Sequence, residues 1–405
     1  MNVLRHAWRN IWRNKRRTGI TLAAVTLNTA ILIMVYALMD GMIKHTVHSA
    51  TNVVIGEVQA HGEGYREDLS FYKSLPDPEA FLEKAAANNI GAAPRSYGFG
   101  LVSVGSKSAG ALFWGIDPAL EREVFDLDEN LQSGRFLLEK PEQGIVLGKK
   151  LARSLHAKVG SEIIVVVQAA DGSLGNELYT VTGILKSVGD YIDRGAAILH
   201  QDDFRELFVS GGRIHEIAFN SRGKIPVEEV AAMVTPANQE AEVRTWRELV
   251  PMLNDMVRLF DTVIWIFGAI FFLAAGLGVM NTMLMATYER IREFGILKAI
   301  GTSPWRIVSN MALEALVLSV TAAAVGLILG LLGTYYLSAV GIDTSLFAGE
   351  FSFSGVAFDP IWRAAFSVEA AVVPMVVMCV ICTIASLYPA VIAARLDPVR
   401  AIHHV

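Results

Sequence analysis

Between two long apolar runs the sequence reads Tyr288-Glu-Arg-Ile-Arg-Glu-Phe-Gly-Ile-Leu-Lys-Ala-Ile-Gly-Thr-Ser-Pro-Trp-Arg306. At about 100° per residue, one arc of a helix would hold the apolar side chains of Phe294, Ile296, Leu297 and Ile300. Gly295 and Gly301 permit a bend or a close approach. Ser303 followed by Pro304 is typical of the start of a helix. We interpret 288–306 as a short amphipathic helix, firmly joined at both ends, that passes force from a cytoplasmic partner to the flanking runs. A positively charged loop that only sets topology is the alternative.

The flanking runs belong to a set of four apolar segments. A bilayer core of about 30 Å requires roughly 20 apolar residues in a helix, and four segments qualify: 19–39, 262–286, 307–337 and 368–394. Hydrophobic residues make up 53% of the chain and charged residues 19%, below the roughly 25% charged residues of soluble domains. The first run is too long for a signal peptide and lacks a cleavage site, so it fits an uncleaved anchor. The sequence therefore predicts an α-helical membrane protein with four transmembrane helices.

The distribution of lysine and arginine predicts the orientation, because cytoplasmic loops are enriched in both. Basic residues precede the first run, lie between the second and third, and follow the fourth: Arg5, Arg9, Arg13, Lys15, Arg16, Arg17, Arg290, Arg292, Lys298, Arg306, Arg395 and Arg400. The loop between the third and fourth runs carries mainly acids, at Asp343, Glu350 and Asp359. We expect both termini and 288–306 in the cytoplasm, and 40–256 outside.

Residues 1–18 have a pattern of their own. Apolar side chains recur there at helical spacing, with arginines on another face: Leu4, Ala7, Trp8, Ile11 and Trp12. Because indole rings favour the headgroup depth of a bilayer, we interpret 1–18 as a cytoplasmic interfacial amphipathic helix. Chance periodicity in a positively charged flank is the alternative.

The long segment 40–256 mixes strand and helix patterns. Strand-like runs are 53–59, 101–104, 111–116, 163–168, 178–185 and 214–220, and helix-like runs are 78–87, 149–156, 202–208 and 226–233,. A helix is expected over 247–261. The pattern predicts an α+β extracytoplasmic domain inserted between the first and second transmembrane helices, with 117–200 as an optional second lobe. Both cysteines, Cys379 and Cys382, lie in the fourth apolar run, so this domain depends on its own core rather than on a disulfide.

The sequence offers no persuasive catalytic, cofactor-binding or metal-binding motif. Gly144-Ile-Val-Leu-Gly148-Lys149-Lys150 has one residue too few between its glycines for a phosphate loop, and no Ser or Thr follows the lysine,. We interpret it as a turn that opens a helix. His215-Glu216 lacks the second histidine of a zinc-protease helix, and no third ligand accompanies His45 and His48,. We therefore expect no ATP site in this chain, and any ATP-driven role requires a partner.

Polar and small residues interrupt the apolar runs. Glu314 lies inside the third run, where an ionisable side chain is costly and generally faces a partner or water. We expect it to pair within the bundle, and snorkelling to the cytoplasmic surface is the alternative. We expect Asn28 and Asn281 to form interhelical hydrogen bonds. Small residues repeat every four positions at Ala322, Gly326 and Gly330, which predicts a packing seam within one subunit or between two.

Three stretches carry a resemblance to a known family. They are the run from Glu289 to Gly301, the opening Ala7-Trp-Arg-Asn-Ile-Trp-Arg-Asn-Lys-Arg-Arg17, and the ending Tyr388-Pro-Ala-Val-Ile-Ala-Ala-Arg-Leu-Asp-Pro-Val-Arg-Ala-Ile402. Together with the order of elements, they resemble the MacB/FtsX-type ABC permeases. The chain is most similar to the lipoprotein-releasing, Lol-type permeases, also through weaker matches at Gly115-Ile-Asp-Pro118 and Ser133-Gly-Arg135.

The resemblance implies a permease that is not itself an enzyme, in the inner membrane of a bacterium. Its partners would be a cytoplasmic ABC ATPase dimer, which binds ATP and Mg, and a second permease, identical or homologous. By motif position, the ATPase-coupling element would comprise Glu289, Arg290, Glu293, Phe294, Gly295, Leu297, Lys298 and Gly301.

The leading expectation for function is that ATP hydrolysis on the separate ATPase moves the outer domain and releases lipoproteins towards the outer membrane. The implied partners are then a lipoprotein or other amphiphile, a periplasmic acceptor and membrane lipid, with no nucleic acid. MacB-like export of a peptide, antibiotic or other amphiphile is one alternative. FtsX-like regulation of a cell-wall hydrolase, without transport, is another. A membrane-bound sensor or adhesin would not need the 288–306 element.

Overall fold

The structure is a computed structural model that describes residues 12–235, 240–343, 352–353, 356–357, 361–398 and 401. The chain divides into two compact units. The membrane unit comprises Met1–Ile43, Arg258–Thr344 and Ile361–Val405, and the outer unit comprises Lys44–Val257 with Ser345–Pro360. Most of the predicted interfacial helix lies outside the described residues. From Lys15 onward its residues belong to the first long helix.

The helices differ widely in length, from single turns in the outer unit to the long helices of the membrane unit. In chain order they are α1 (Lys15–Ala50), α2 (Tyr65–Asp68), α3 (Pro78–Ala87), α4 (Pro118–Val124), α5 (Lys149–Leu155), α6 (Asp190–Gly195), α7 (Gln201–Phe208), α8 (Val227–Val234), α9 (Trp246–Leu249), α10 (Pro251–Glu289), α11 (Ile291–Ala299), α12 (Pro304–Ala339) and α13 (Val368–Arg395). Short 3-10 turns occupy Trp12–Asn14 and Asp128–Asn130, and a π-helical turn occupies Thr51–Ile55.

Four of these helical stretches are long and apolar enough to cross a membrane: Trp12–Ile55, Pro251–Glu289, Pro304–Ala339 and Val368–Arg395. The predicted apolar runs lie inside them. At 1.5 Å per residue, the 39 residues of α10 extend for about 58 Å, well beyond the roughly 30 Å of a hydrocarbon core. The bounds of α1 and α10 each include residues of both units.

The small residues of α12 pack against α1 of the same chain. The Thr26 hydroxyl donates to the carbonyl of Ala322 over 3.0 Å. A Cβ atom added at Gly326 would lie 2.8 Å from the Thr26 carbonyl oxygen, and one at Gly330 would lie 2.9 Å from Cβ of Ile33. The seam predicted from these small residues therefore joins the first and third spans of one subunit.

One ten-stranded sheet forms the frame of the outer unit. Its strands are β1 (Val58–Gly62), β2 (Gly91–Val104), β3 (Lys107–Ile116), β4 (Leu131–Gly134), β5 (Gly144–Leu147), β6 (Glu162–Gln168), β7 (Leu174–Leu185), β8 (Ala196–His200), β9 (Glu216–Asn220) and β10 (Ala241–Thr245). Their order is β10-β1-β9-β2-β3-β8-β5-β7-β4, and β6 pairs with both β2 and β7. The β3–β8 and β5–β7 pairs are parallel and the others antiparallel.

The strands of 117–200 do not form a separate sheet, because β8 pairs with β3 and β6 pairs with β2. The hydrophobic core nevertheless has distinct clusters. One cluster centres on Phe113, Ile145 and Phe204, and another on Phe81, Ile217 and Phe219. The division of the outer domain into two lobes, with 117–200 as one of them, stays a prediction.

Four short two-residue strands lie in the loop after α12: β11 (Ile342–Asp343), β12 (Ser352–Phe353), β13 (Val356–Ala357) and β14 (Ile361–Trp362). They form two small antiparallel pairs, β11 with β14 and β12 with β13. Side-chain caps explain the starts of some helices of the outer unit. Asp117, for example, immediately precedes α4, and its carboxylate accepts hydrogen bonds from the backbone N–H groups of Ala119 and Leu120 in the first turn,.

Three sequence predictions in the outer unit are wrong in detail. The strand expected over 53–59 begins only at Val58, because the chain first continues from α1 as the π-helical turn Thr51–Ile55. The Asn52 side chain stabilises that turn through a 3.1 Å bond from Asn220. Gly144–Leu147 is a buried strand rather than a turn, although a helix does follow it. The helix expected over 247–261 is broken at Val250, and α10 starts at Pro251,.

Candidate coupling site

The 288–306 segment is a short helix held between two long ones. α10 ends at Glu289, Arg290 breaks the helix, and α11 runs over Ile291–Ala299. Gly301 then adopts φ +92°, a conformation that side-chain-bearing residues rarely adopt, and α12 starts with Pro304 at its first turn. We call α11 and its two joints the connector. Its joints are Arg290, between α10 and α11, and residues 300–303, between α11 and α12.

The inner face of the connector is packed into the bundle. Phe294 is buried in a cluster with Ile307 and Met311 of α12 and with Ala390 and Ala393 of α13. The Lys298 ammonium donates to the carbonyl oxygens of Ala394 and Leu396 over 2.9 and 2.6 Å. These carbonyls lie at the end of α13, where backbone acceptors lack helical partners and a cation is favourable.

Ion pairs join the connector to α12 and to the start of α1. The Arg290 guanidinium lies 3.2 Å from Glu314 and donates to Glu293 over 2.9 Å. Glu293 also accepts from Arg13 over 2.6 Å, and Glu289 accepts from Arg17 over 2.8 Å.

The electrostatics of the connector favour its charged forms. Burial alone would lower the pKa of Arg290, but the carboxylates of Glu314 and Glu293 outweigh it and hold this pKa above its ordinary value,. Burial would raise the pKa of Glu293, but the bonds from Arg290 and Arg13 hold it below its ordinary value. The connector is thus fixed by charges that stay ionised at neutral pH.

The outer face of the connector exposes a row of large apolar side chains. Ile300 is 74% exposed and Trp305 is 79% exposed, with Ile296 and Leu297 beside them. We call these four residues the apolar ridge. The predicted single arc is therefore wrong, because Phe294 faces the bundle while Ile296, Leu297 and Ile300 face away from it. Gly295 is also buried. Exposed apolar rows of this kind mark interaction surfaces.

Of the predicted intramembrane polar residues, Glu314 is buried against the connector. Asn281 is exposed on α10, and its side chain forms no hydrogen bond with the part of the chain that the structure describes. Asn28, for which the same kind of bond was predicted, does form one: its amide donates to the Phe271 carbonyl of α10 over 2.7 Å. In the sequence Arg13 and Arg17 look like topology-setting charges only. Glu289 and Glu293 are four residues apart, as are Arg17 and Arg13, and this matched spacing is the sequence signal that the two arginines have acidic partners.

In the outer unit the weak histidine patterns are structural. His48 contacts the Asn52 amide at 2.9 Å, and His215 contacts the Phe71 carbonyl at 2.8 Å. Among the described residues, no group of three His, Cys, Asp or Glu side chains is arranged to hold a metal ion.

Two family models match this chain. The family model of the MacB-like periplasmic core domain matches residues 18–243, more than half of the chain, and that of the FtsX-like permease C-terminal matches 265–398. The crystal structure of the periplasmic region of MacB from Actinobacillus actinomycetemcomitans covers 49% of this chain and 94% of its own, at 16% identity and a TM-score of 0.38.

Three relatives illustrate the range of similar proteins. An uncharacterised ABC transporter permease of Methanocaldococcus jannaschii is 24% identical over 82% of this chain and 83% of its own length. The lipoprotein-releasing system transmembrane protein LolC of Xylella fastidiosa is 22% identical over 97% of this chain and 96% of its own. The macrolide export ATP-binding/permease protein MacB of Nitrosomonas europaea is 24% identical over 81% of this chain, which spans only 51% of that protein. The resemblance found in the sequence is confirmed: the chain belongs to the MacB/FtsX/LolC type of ABC transporter permeases and is a multi-pass inner-membrane protein.

Proposed function

We propose that the connector receives the movement of a separate cytoplasmic ATPase and passes it to the helices that lead into the outer unit. The apolar ridge is the surface that the ATPase contacts. This places 288–306 and both termini in the cytoplasm, in keeping with the lysine and arginine bias of the sequence,.

The observation that carries this proposal is the contrast between the two faces of the connector. Its inner face is bonded to α13 through Lys298 and to α12 through Arg290. An exposed ion pair joins Glu293 to Arg13, in the turn that leads into α1. Its outer face exposes Ile300 and Trp305, which find no apolar cover in the described chain. A force on the ridge would therefore reach α1, α12 and α13 together. Both Phe294 and Gly295 act inside the chain rather than on the partner.

The coupling role is tested with Ile300→Glu and Trp305→Glu. These exposed changes leave the packing of α11 intact, but they bury charge in any apolar contact with the ATPase. We expect the purified permease–ATPase complex to dissociate, or to lose the ATPase activity that depends on the permease. The matched control is Leu174→Glu, at a residue of β7 that is 78% exposed. Full activity in both ridge variants would refute the role of the ridge.

We propose that the complex releases lipoproteins towards an outer membrane through a periplasmic acceptor. The support is the relative LolC of Xylella fastidiosa, which aligns with nearly the whole chain. The MacB relative aligns over about half of its own length. Export of a peptide, an antibiotic or another amphiphile is the competing function.

The substrate is tested by purifying the complex from its native membrane and identifying bound material by mass spectrometry. We expect lipid-modified peptides that disappear when ATP and Mg are added. Recovery of unmodified peptides or of small antibiotics instead would favour export. The same experiment is repeated on the Ile300→Glu variant. If lipid-modified peptides bind to this variant but stay bound when ATP and Mg are added, the substrate is correct and coupling has failed.

A further inference from the structure

A cavity of about 370 Å³ lies within the outer unit, between β1, β2, β3, α2 and α6. This volume is near the lower end of the roughly 300–1,000 Å³ of small-molecule sites. Apolar side chains form much of its wall, among them Val54, Leu69, Leu112, Ile192, Leu249 and Met252. The cavity can thus enclose a short apolar group, but not a folded polypeptide.

One wall of the cavity is a buried ionic cluster in which two carboxylates share one guanidinium. Arg95, 1% exposed, donates to Glu121 over 2.6 Å and to Glu216 over 3.0 Å. The Tyr97 hydroxyl donates to the same oxygen of Glu216 over 2.9 Å. Since burying unpaired charges is strongly unfavourable, this cluster holds its geometry. The cluster gives the cavity a rigid wall. Because Arg95 is already bonded to two carboxylates, we do not expect it to bind a ligand.

Other polar groups of the lining have hydrogen atoms to donate and no acceptor. The indole N–H of Trp114, a residue 3% exposed, has no hydrogen-bond partner among the described residues. Nor does the hydroxyl of Tyr65 bond to any of them, although the residue is buried. Burial, reinforced by the charge of Glu216, raises the pKa of Tyr65, so its hydroxyl keeps its proton. Buried donors are nearly always paired in folded proteins, so the unpaired N–H of Trp114 points to an acceptor supplied by a ligand.

The positive charge of Arg66 favours an anion on its own side of the cavity. The other charged side chains of the lining are Arg95 and Glu216, and because Arg95 is shared with a second carboxylate, Glu121, their cluster keeps one negative charge. Arg66 forms no ion pair within the described chain, and its only hydrogen bond is a long one, 3.4 Å, to the Gln59 amide oxygen. Burial raises the pKa of Tyr191, and the positive charge of Arg66 opposes that rise.

We propose that this cavity binds a small anionic amphiphile, with an apolar tail against the aliphatic wall and acceptor oxygens held by Arg66, Trp114 and Tyr65. A fatty acid carboxylate and a lysolipid phosphate share this chemistry. The inference goes beyond the proposed function, because it concerns a site within the outer unit of this subunit and holds for any cargo.

The position of the cavity gives its ligand a route to the long helices. The lining includes Val54 and Ile55, which follow α1 by a few residues, and Pro251 and Met252, which begin α10. A bound tail therefore contacts both segments by which the outer unit continues into spanning helices. Occupancy would stabilise one arrangement of these segments and make the site an effector site as well as a binding site.

The test uses the full-length permease in nanodiscs and measures binding of radiolabelled dodecanoate by equilibrium dialysis, with empty nanodiscs subtracted. Dodecyl phosphate and dodecyltrimethylammonium are the comparison probes. We expect one saturable site per chain for at least one of the two anions and none for the cation. Preference for dodecanoate or for dodecyl phosphate identifies the carboxylate or the phosphate source.

Two conservative variants examine the donors. Arg66→Gln removes the exposed charge and should weaken anion binding about tenfold or more, and Trp114→Phe removes one N–H and should weaken it about fivefold. Arg205→Gln, an arginine of α7 that does not line the cavity, is the matched control and should bind normally. The proposal is overturned if neither anion shows a saturable component, if the cation binds equally well, or if Arg66→Gln binds like Arg205→Gln. Because Arg66 is exposed, Arg66→Gln should not disturb folding. It therefore tests the proposal even if Trp114→Phe unfolds the outer unit.

Discussion

The Arg290–Glu314 pair lies between the connector and α12, and the two side chains are 17% and 11% exposed. Removing one partner of a buried pair costs more than removing one partner of an exposed pair. We predict that Glu314→Gln lowers the free energy of unfolding by about 1–3 kcal/mol, less than a fully buried pair because Arg290 keeps its bond to Glu293. Thermal unfolding of the detergent-solubilised chain measures this. Glu289→Gln breaks the more exposed pair with Arg17 and should cost less than about 1 kcal/mol; equal losses in both variants would contradict the prediction.

At the same scale, the sequence indicated which residues are unusual but not what they contact. Glu314 stands out because it is an acid within an apolar run, yet its counter-ion lies 24 residues away and depends on the break at Arg290. Asn28 and Asn281 look equivalent in sequence. Only the rotation of each helix in the bundle decides that Asn28 bonds across to α10 while Asn281 is exposed.

At the scale of elements, the contact between α1 and α12 depends on the absence of side chains. A Cβ atom at Gly326 would lie 2.8 Å from both the Thr26 carbonyl oxygen and Cβ of Thr29, closer than real Cβ contacts. We predict that Gly326→Ala destabilises the bundle by about 1–3 kcal/mol, as overpacking does in well-packed cores. Thermal unfolding measures it. Gly278→Ala in α10 is the matched control, because its Cβ would meet no atom within 4 Å. A Gly326 variant as stable as this control would contradict the prediction, because α1 and α12 would then accommodate the added methyl group without cost.

Periodicity predicted most of the elements but not which side of each one is buried. The helices over Pro78–Ala87, Lys149–Leu155, Gln201–Phe208 and Val227–Val234 lie where their patterns indicated. In α11 the helical spacing of the apolar residues was predicted correctly, but their placement on one common face was not. Phe294 alone of the four packs against α12 and α13. The short strand Ala196–His200 escaped prediction, because a fully buried run of five residues has no alternation,.

At the scale of the whole molecule, the class of fold was predictable because it follows from local quantities. The length of an apolar run determines whether a helix spans a bilayer, and the family motifs lie in the connector and the termini. The sheet order was not predictable, because it depends on non-local pairing. The parallel partner of β3, for example, is β8, with Leu112 opposite Ala196. The proposed cavity is non-local in the same way, since Arg66, Trp114 and Met252 come from three separate stretches.

The outer unit carries two buried histidines that make its stability depend on pH. Burial is the main cause that lowers the pKa of both His61 and His215 below their ordinary value of 6.5. For His61 the nearby Glu216 carboxylate opposes this and the Arg66 guanidinium adds to it. The folded chain therefore binds fewer protons than the unfolded chain just below pH 6.5. Each histidine contributes stability that is complete above pH 6.5 and is lost as the pH falls towards and through its folded pKa.

Thermal unfolding of the full-length chain in nanodiscs should therefore show a melting temperature that is level from pH 7.5 to about pH 6.5 and then falls towards pH 5. Replacing both residues, as His61→Gln with His215→Gln, should flatten this fall even if it lowers the melting temperature at pH 7.5, because the slope reports proton uptake rather than packing. His156→Gln, at an exposed histidine of the same unit, should leave the slope unchanged. If the double variant kept the full slope, other groups would be taking up the protons on unfolding. The buried pair beside the cavity would then have no part in the response to acid.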